Sequence, residues 1–188
     1  MLPFDAKIAL KSFQEISKLL SSTMKLPQIL NFILKEITKV LDLKGGTVRL
    51  VNPKTNSLQW AASIGISRRY IEKGPVDLDK SVQEAMTGIP VLVLDAANDP
   101  RMQYPKQAQE EGIASMLTIP LKARGGKIIG VLRLVTAERR DFTEDEIDWA
   151  CAVGELGAQA IMNARMFEEL TKDLNYFKGM VDVAKLWD

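Results

Sequence analysis

The chain has 188 residues, 46% apolar and 26% charged, with a formal net charge of +1. These values suit one globular domain with a real core and helical extensions, and they give no global pull toward nucleic acid or an anionic membrane. There is no histidine and one cysteine, Cys151, which excludes Ser-His-Asp and Cys-His catalysis, His-ligated zinc or haem, internal disulfides and two-cysteine redox cycles.

Asp5 is placed to cap a helix running to about Leu20, with Ala6, Leu10, Phe13, Ile16 and Leu20 on one face. Pro27 suits the first turn of a second helix. Its stripe of Leu26, Ile29, Leu30, Ile33, Leu34, Ile37, Val40 and Leu41 requires burial, and Gly45-Gly46 is read as its end. Strands are expected over Thr47–Asn52 and Leu58–Ile64, joined by the turn Pro53-Lys54-Thr55-Asn56. A short helix follows over Ser67–Lys73, and Asp79 caps another over Lys80–Met86, closed by Gly88. Pro90–Asp95 reads as a strand, Asn98-Asp99-Pro100-Arg101 as a turn, and Pro105 as the start of a helix that Gly112 stops. Gly125-Gly126 joins strands Ser115–Lys122 and Lys127–Thr136. It is no phosphate loop, because it lacks the strand-to-helix setting and the Gly-Lys-Ser/Thr ending. Thr143 and Glu146 form a capping box for a long helix. Small residues in its early part (Ala150, Val153, Gly154, Gly157, Ala158) allow close approach to a sheet. Further on, Phe167, Leu170, Leu174, Phe177, Val181 and Ala184 recur at coiled-coil spacing, which Gly179 weakens. Sequence-adjacent strands and flanking helices make this an α+β domain.

The stretches GGTVRLVNPKTNSLQWAASIGIS, PVLVLDAANDPR, EGIASMLTIPL, GKIIGVLRLVT and FTEDEIDWACAVGELGAQAIMNARMFEEL cover roughly residues 13–170. In this order and spacing they resemble the GAF domain family. The resemblance implies a central antiparallel β-sheet, with the N-terminal and long C-terminal helices on one face and a ligand pocket under short helices on the other. It also implies a sensory or dimerisation module of a signalling protein. Ligands of the family include cyclic nucleotides, linear tetrapyrroles, haem and small metabolites. With no histidine, and with Cys151 on the terminal helix, the chain lacks what covalent bilin or His-ligated haem requires. One cysteine is too few for the methionine sulfoxide reductases of this fold. The Asn-Lys-Phe-Asp-Glu signature of cyclic-nucleotide binders is absent. The resemblance therefore names no cofactor. The expected organisation is an N-terminal helix (1–24), a GAF-like domain (25–165) and a C-terminal helical extension (166–188).

Arg49 and Arg133 interrupt apolar strands, and alternation puts each opposite its Val or Leu neighbours. In a GAF-like sheet both would face the pocket, where two guanidinium groups suit a carboxylate or phosphate. The alternative is pairing with a loop acid such as Asp95 or Asp99, or contact with solvent. Asp99, Arg101 and Tyr104 sit on the loop laid over that face, and Ser115 starts a strand there; each is a candidate ligand contact. Turn chemistry and packing would place the same residues there. Met86, Met102 and Met116 are read as packing that can reach the pocket, and Cys151 as a buried small residue. Glu144, Asp145, Glu146 and Asp148 favour a helix dipole and are not read as an acid–base pair.

The leading expectation is a non-catalytic regulatory domain that binds a small anionic molecule between the sheet and residues 95–112 and signals through its terminal helices. The alternative is a constitutive dimerisation module with an empty pocket. An enzyme of this fold is disfavoured, since the usual nucleophiles and bases are missing. The expected partners are an unidentified small molecule, a second copy through the terminal helices and an effector domain, but no nucleic acid. No apolar run approaches the roughly 20 residues that span a bilayer, and the N-terminus lacks a signal peptide's features. The expected location is therefore cytoplasmic, without membrane insertion.

Overall fold

Periods of three and four at the two ends of the chain become helices, and alternating runs between them become strands. A computed structural model describes residues 4–20, 25–76 and 79–184, with side chains through residue 176. Helices α1 (Ala6–Leu20) and α2 (Leu26–Val40) lead into the hairpin β1 (Gly45–Val51) and β2 (Leu58–Ile64). Short helices α3 (Arg68–Ile71) and α4 (Lys80–Ala85) precede β3 (Val91–Val93), and α5 (Pro105–Glu110) precedes β4 (Ser115–Lys122). A 3₁₀ turn at Arg124–Gly126 connects to β5 (Ile128–Thr136), and α6 runs unbroken over Glu144–Ala184. The boundary expected at 165/166 thus falls inside one helix.

Among the described residues, five strands form one sheet in the order β2-β1-β5-β4-β3, with every neighbouring pair antiparallel. Alternation sends Val48, Leu50, Leu117, Ile119, Leu132 and Leu134 to one face. There they join Ile33, Leu34 and Ile37 of α2 and Ala150, Val153 and Ile161 of α6 in the main core. Each such aliphatic side chain contributes roughly 1.5–3 kcal/mol by leaving water. Gly157 explains how α6 comes so close: a Cβ there would lie 2.7 Å from Ile33 Cδ1. The capping box forms as expected, with Glu146 N donating to Thr143 Oγ1 (3.3 Å) and Thr143 N to the Glu146 carboxylate (3.0 Å).

Two elements depart from the sequence reading. In α1 the buried residues are Ala9, Ser12 and Ile16, while Leu10 is 58% exposed. Polar contacts set this rotation: Ser12 Oγ donates to Glu36 (3.1 Å), and Trp149 Nε1 donates to the Ala9 carbonyl (3.0 Å). In addition, α2 stops before Gly45-Gly46. Leu41 caps it, Asp42 turns the chain at φ 50°, and both glycines enter β1. Of the expected coiled-coil positions, Phe177, Val181 and Ala184 lie outside the described side chains.

Candidate functional site

The face of the sheet away from α2 and α6 carries a small cavity. Thr47 and Arg49 of β1 and Val131 and Arg133 of β5 form its floor, and Tyr70, Ile71, Lys73, Val76 and Val82 cover it, with Trp60 at the side. Its volume is about 20 Å³, room for little more than a water, which needs roughly 10–15 Å³. The cover is therefore made by Tyr70, Ile71, Lys73 and Val76, with Val82 of α4. Residues 95–112 do not line the cavity. They pack Ala96, Met102 and Ala108 over Met116 and Val135 in a separate apolar cluster. A second, more open cavity is lined by Asp95, Ala97, Gln109 and Gly112 of that segment, with Ala137 and Arg139.

Residues 95–112 instead brace the cover. Tyr104 donates its hydroxyl to the Pro75 carbonyl at 2.9 Å, Lys80 N donates to the Arg101 carbonyl at 3.0 Å, and the Glu111 carboxylate accepts from Ser67 N at 2.7 Å and from the Ser67 hydroxyl. Burial works against the charge of Glu111, but the Ser67 hydrogen bonds and nearby lysines hold its carboxyl below the ordinary range.

Arg49 and Arg133 line the same cavity, as strand alternation requires. Arg133 is 7% exposed and is held from several sides. Its guanidinium donates to both Asp79 oxygens at 3.3 Å, to Ser81 Oγ at 2.8 Å and to Thr118 Oγ1 at 3.1 Å. The partner acid is thus Asp79, and neither Asp95 nor Asp99 serves. The Asp79 carboxylate also caps α4 by accepting from Val82 N at 3.3 Å. Burial disfavours its charge, but the Arg133 charge and hydrogen bonds keep its carboxyl below the usual value.

Four of the sequence-derived candidates, Asp99, Arg101, Tyr104 and Ser115, lie elsewhere. Asp99 accepts from Arg101, whose guanidinium also reaches Glu84 (3.2 Å) and the Leu92 carbonyl (2.9 Å), so this pair ties the loop to β3. Ser115 is fully buried; its hydroxyl donates to the Leu94 carbonyl (2.8 Å) and accepts from Arg140 N (2.9 Å). Tyr104 stands one layer out, its ring 5.7 Å from Lys73 Nζ. Met102 and Met116 belong to the neighbouring apolar cluster, and Met86 packs against a third one. Cys151 is only partly buried, and burial pushes its thiol above the ordinary value.

Lys73 and Tyr70 were not among those candidates. Lys73 Nζ lies 3.5 Å from the Tyr70 ring centroid and donates to the Tyr70 carbonyl at 3.1 Å. Burial, then repulsion from Arg49 and Arg133, lowers its ammonium to about 7. Tyr70 is 5% exposed, and its hydroxyl has no hydrogen-bond partner among the described residues. Burial raises that hydroxyl to about 12, so it stays protonated and remains a donor. Three basic groups thus surround a cavity that one buried carboxylate serves.

The fold and site define a class: an antiparallel sheet backed by helices, with a covered polar cavity on its free face. A family model described as "GAF domain" matches residues 23–162, and the chain belongs to the GAF domain family. It is 25% identical over 181 residues to the Nif-specific regulatory protein of Azospirillum lipoferum, covering 92% of this chain and 29% of that one. The Nif-specific regulatory protein of Herbaspirillum seropedicae is 27% identical over 130 residues, 66% of this chain and 24% of its own length. The chain therefore spans less than a third of these curated relatives. In structure it resembles the GAF domain of a phosphoenolpyruvate-protein phosphotransferase from Coxiella burnetii, with a TM-score of 0.76, 18% identity, and 88% of this chain and 99% of that one covered. It also resembles part of a methyl-accepting chemotaxis protein, with a TM-score of 0.64, 19% identity, and 81% and 98% covered. No helix among the described residues is long and apolar enough to cross a membrane.

Proposed function

We propose that this GAF domain is a non-catalytic sensor for a small anionic ligand, acting in the cytoplasm within a regulatory protein. The observation that carries this reading is the convergence of Arg49, Lys73 and Arg133 on one cavity with the unpartnered Tyr70 hydroxyl. A guanidinium pair suits a carboxylate or phosphate, and a buried hydroxyl donor adds orientation. At about 20 Å³ the cavity is too small for a metabolite, so a ligand enters by exchanging with Asp79 on Arg133 and displacing the Tyr70–Lys73 side of the cover. Opening is coupled to binding because only the open form accepts the ligand. Tyr104, Asp99, Arg101 and Ser115 act in this reading by holding the braces of that cover.

The signal leaves through α1 and α6 to an effector domain, the arrangement expected of a segment that spans under a third of its regulatory relatives. A second reading, a constitutive dimerisation module, draws on the exposed apolar residues of α6, Phe167, Leu170 and Leu174. Inorganic phosphate and short dicarboxylates are suitable probes. Calorimetric titration should show binding to the native protein, and at least tenfold weaker binding to Arg49→Gln at unchanged melting temperature. The sensor reading fails, and the dimerisation reading takes its place, if every such anion leaves both heat and melting temperature unchanged.

A further inference from the structure

The cavity places an amine among groups suited to a small anion. Lys73 Nζ sits against the Tyr70 ring, with Arg49 and Arg133 lining the same space and the Tyr70 hydroxyl lacking a partner. We propose that Lys73 is a carbon dioxide-binding residue, its side-chain amine forming a reversible carbamate that Arg49, Arg133 and the Tyr70 hydroxyl stabilise.

The step balances without a redox partner. The lone pair of Nζ attacks the carbon of CO2, and a C–N bond forms. One C–O π bond breaks, its electron pair becoming the carboxylate charge, and a proton leaves the nitrogen for solvent. The reaction needs the free amine. An ordinary lysine offers on the order of one part in a few thousand at neutral pH, whereas Lys73, lowered to about 7, offers about half. The charges that face it favour the product. Arg49 on β1 and Arg133 on β5 repel a third cation and attract an anion, while Asp79 and Glu111 favour the ammonium. Both carboxylates already accept other hydrogen bonds, Asp79 from Arg133 and Ser81 and Glu111 from Ser67.

The proposal shares the cavity of the sensor reading but not its occupant, so either can fail alone. The test equilibrates the full chain with 13C-labelled CO2 and bicarbonate at mildly alkaline pH, records 13C NMR, and traps carbamates as ethyl esters with triethyloxonium for peptide mass mapping. The expected result is a carbamate resonance and an ethoxycarbonyl group on the Lys73 peptide. Both should be lost in Lys73→Arg at an unchanged melting temperature and weakened several-fold in Arg49→Gln. Absence of the resonance in the native protein overturns the proposal. So does trapping confined to the N-terminal amine or other lysines, or a signal that survives Lys73→Arg.

Discussion

Arg133 and Asp79 are a buried pair whose members need each other. Removing one strands the other charge away from water, a loss that typically costs 3–5 kcal/mol. Arg133→Met and Asp79→Asn should therefore each destabilise the domain by about 3 kcal/mol in urea unfolding at neutral pH. The double variant should lose less than the sum, since the second change removes a charge already stranded. The acid side supplies a sign test. The Asp79 carboxyl lies below its ordinary 3.8 in the fold, so its stabilisation is present above 3.8 and is lost as pH falls through the folded value. The gap between native protein and Asp79→Asn should close on acidification; a gap independent of pH would refute the pairing energy. The placement of the two arginines was legible from strand alternation together with the family resemblance. Their acid was not: Asp79 reads as a helix cap, and nothing local says that the same carboxylate reaches a strand 54 residues on. Tyr70 and Lys73 gave no periodic signal, because α3 is only four residues long.

At the scale of elements, the strand pair that presents both arginines depends on a close backbone approach. A Cβ on Gly130 would fall 2.2 Å from the Arg49 carbonyl oxygen and 3.0 Å from Leu50 Cα. Backbone atoms in a paired strand cannot yield as a flexible side chain does. Gly130→Ala should thus part β1 from β5 locally, costing about 1–3 kcal/mol as overpacking does, and weaken anion binding by tilting Arg49. An unchanged melting temperature would show that the ladder absorbs the methyl group. Strand positions and the antiparallel sheet were readable because alternation and burial enforce each other. The face of α1 was misread because hydrophobicity favours Leu10, whereas the Ser12–Glu36 hydrogen bond and the Trp149 contact turn Ala9 and Ser12 inward. Gly45-Gly46 misled for a related reason. Glycine often stops a helix, but here Gly45 permits a backbone contact, since a Cβ on it would meet the Ile64 carbonyl oxygen at 2.2 Å.

At the scale of the whole molecule, α6 is longer than the domain needs. Its 41 residues extend about 60 Å at 1.5 Å per residue. Buried positions such as Ala150, Val153, Ala158 and Ile161 fall in its first half. Beyond them Phe167, Leu170 and Leu174 are more than half exposed, at alternating steps of three and four. Such a seam matches a second copy of the same helix, which would present the same residues at the same spacing. Because α1 and α2 also pack on α6, a change in the sheet cover can reach that seam only through the shared core. In the sensor reading proposed above, two arrangements of the helices differ in ligand affinity. Leu170→Glu combined with Leu174→Glu should convert a dimer to a monomer in sedimentation velocity while leaving the melting of the monomer fold and anion binding intact. A native protein that sediments as a monomer at high concentration, or a double variant that stays dimeric, would remove α6 as the path by which the domain reports its state.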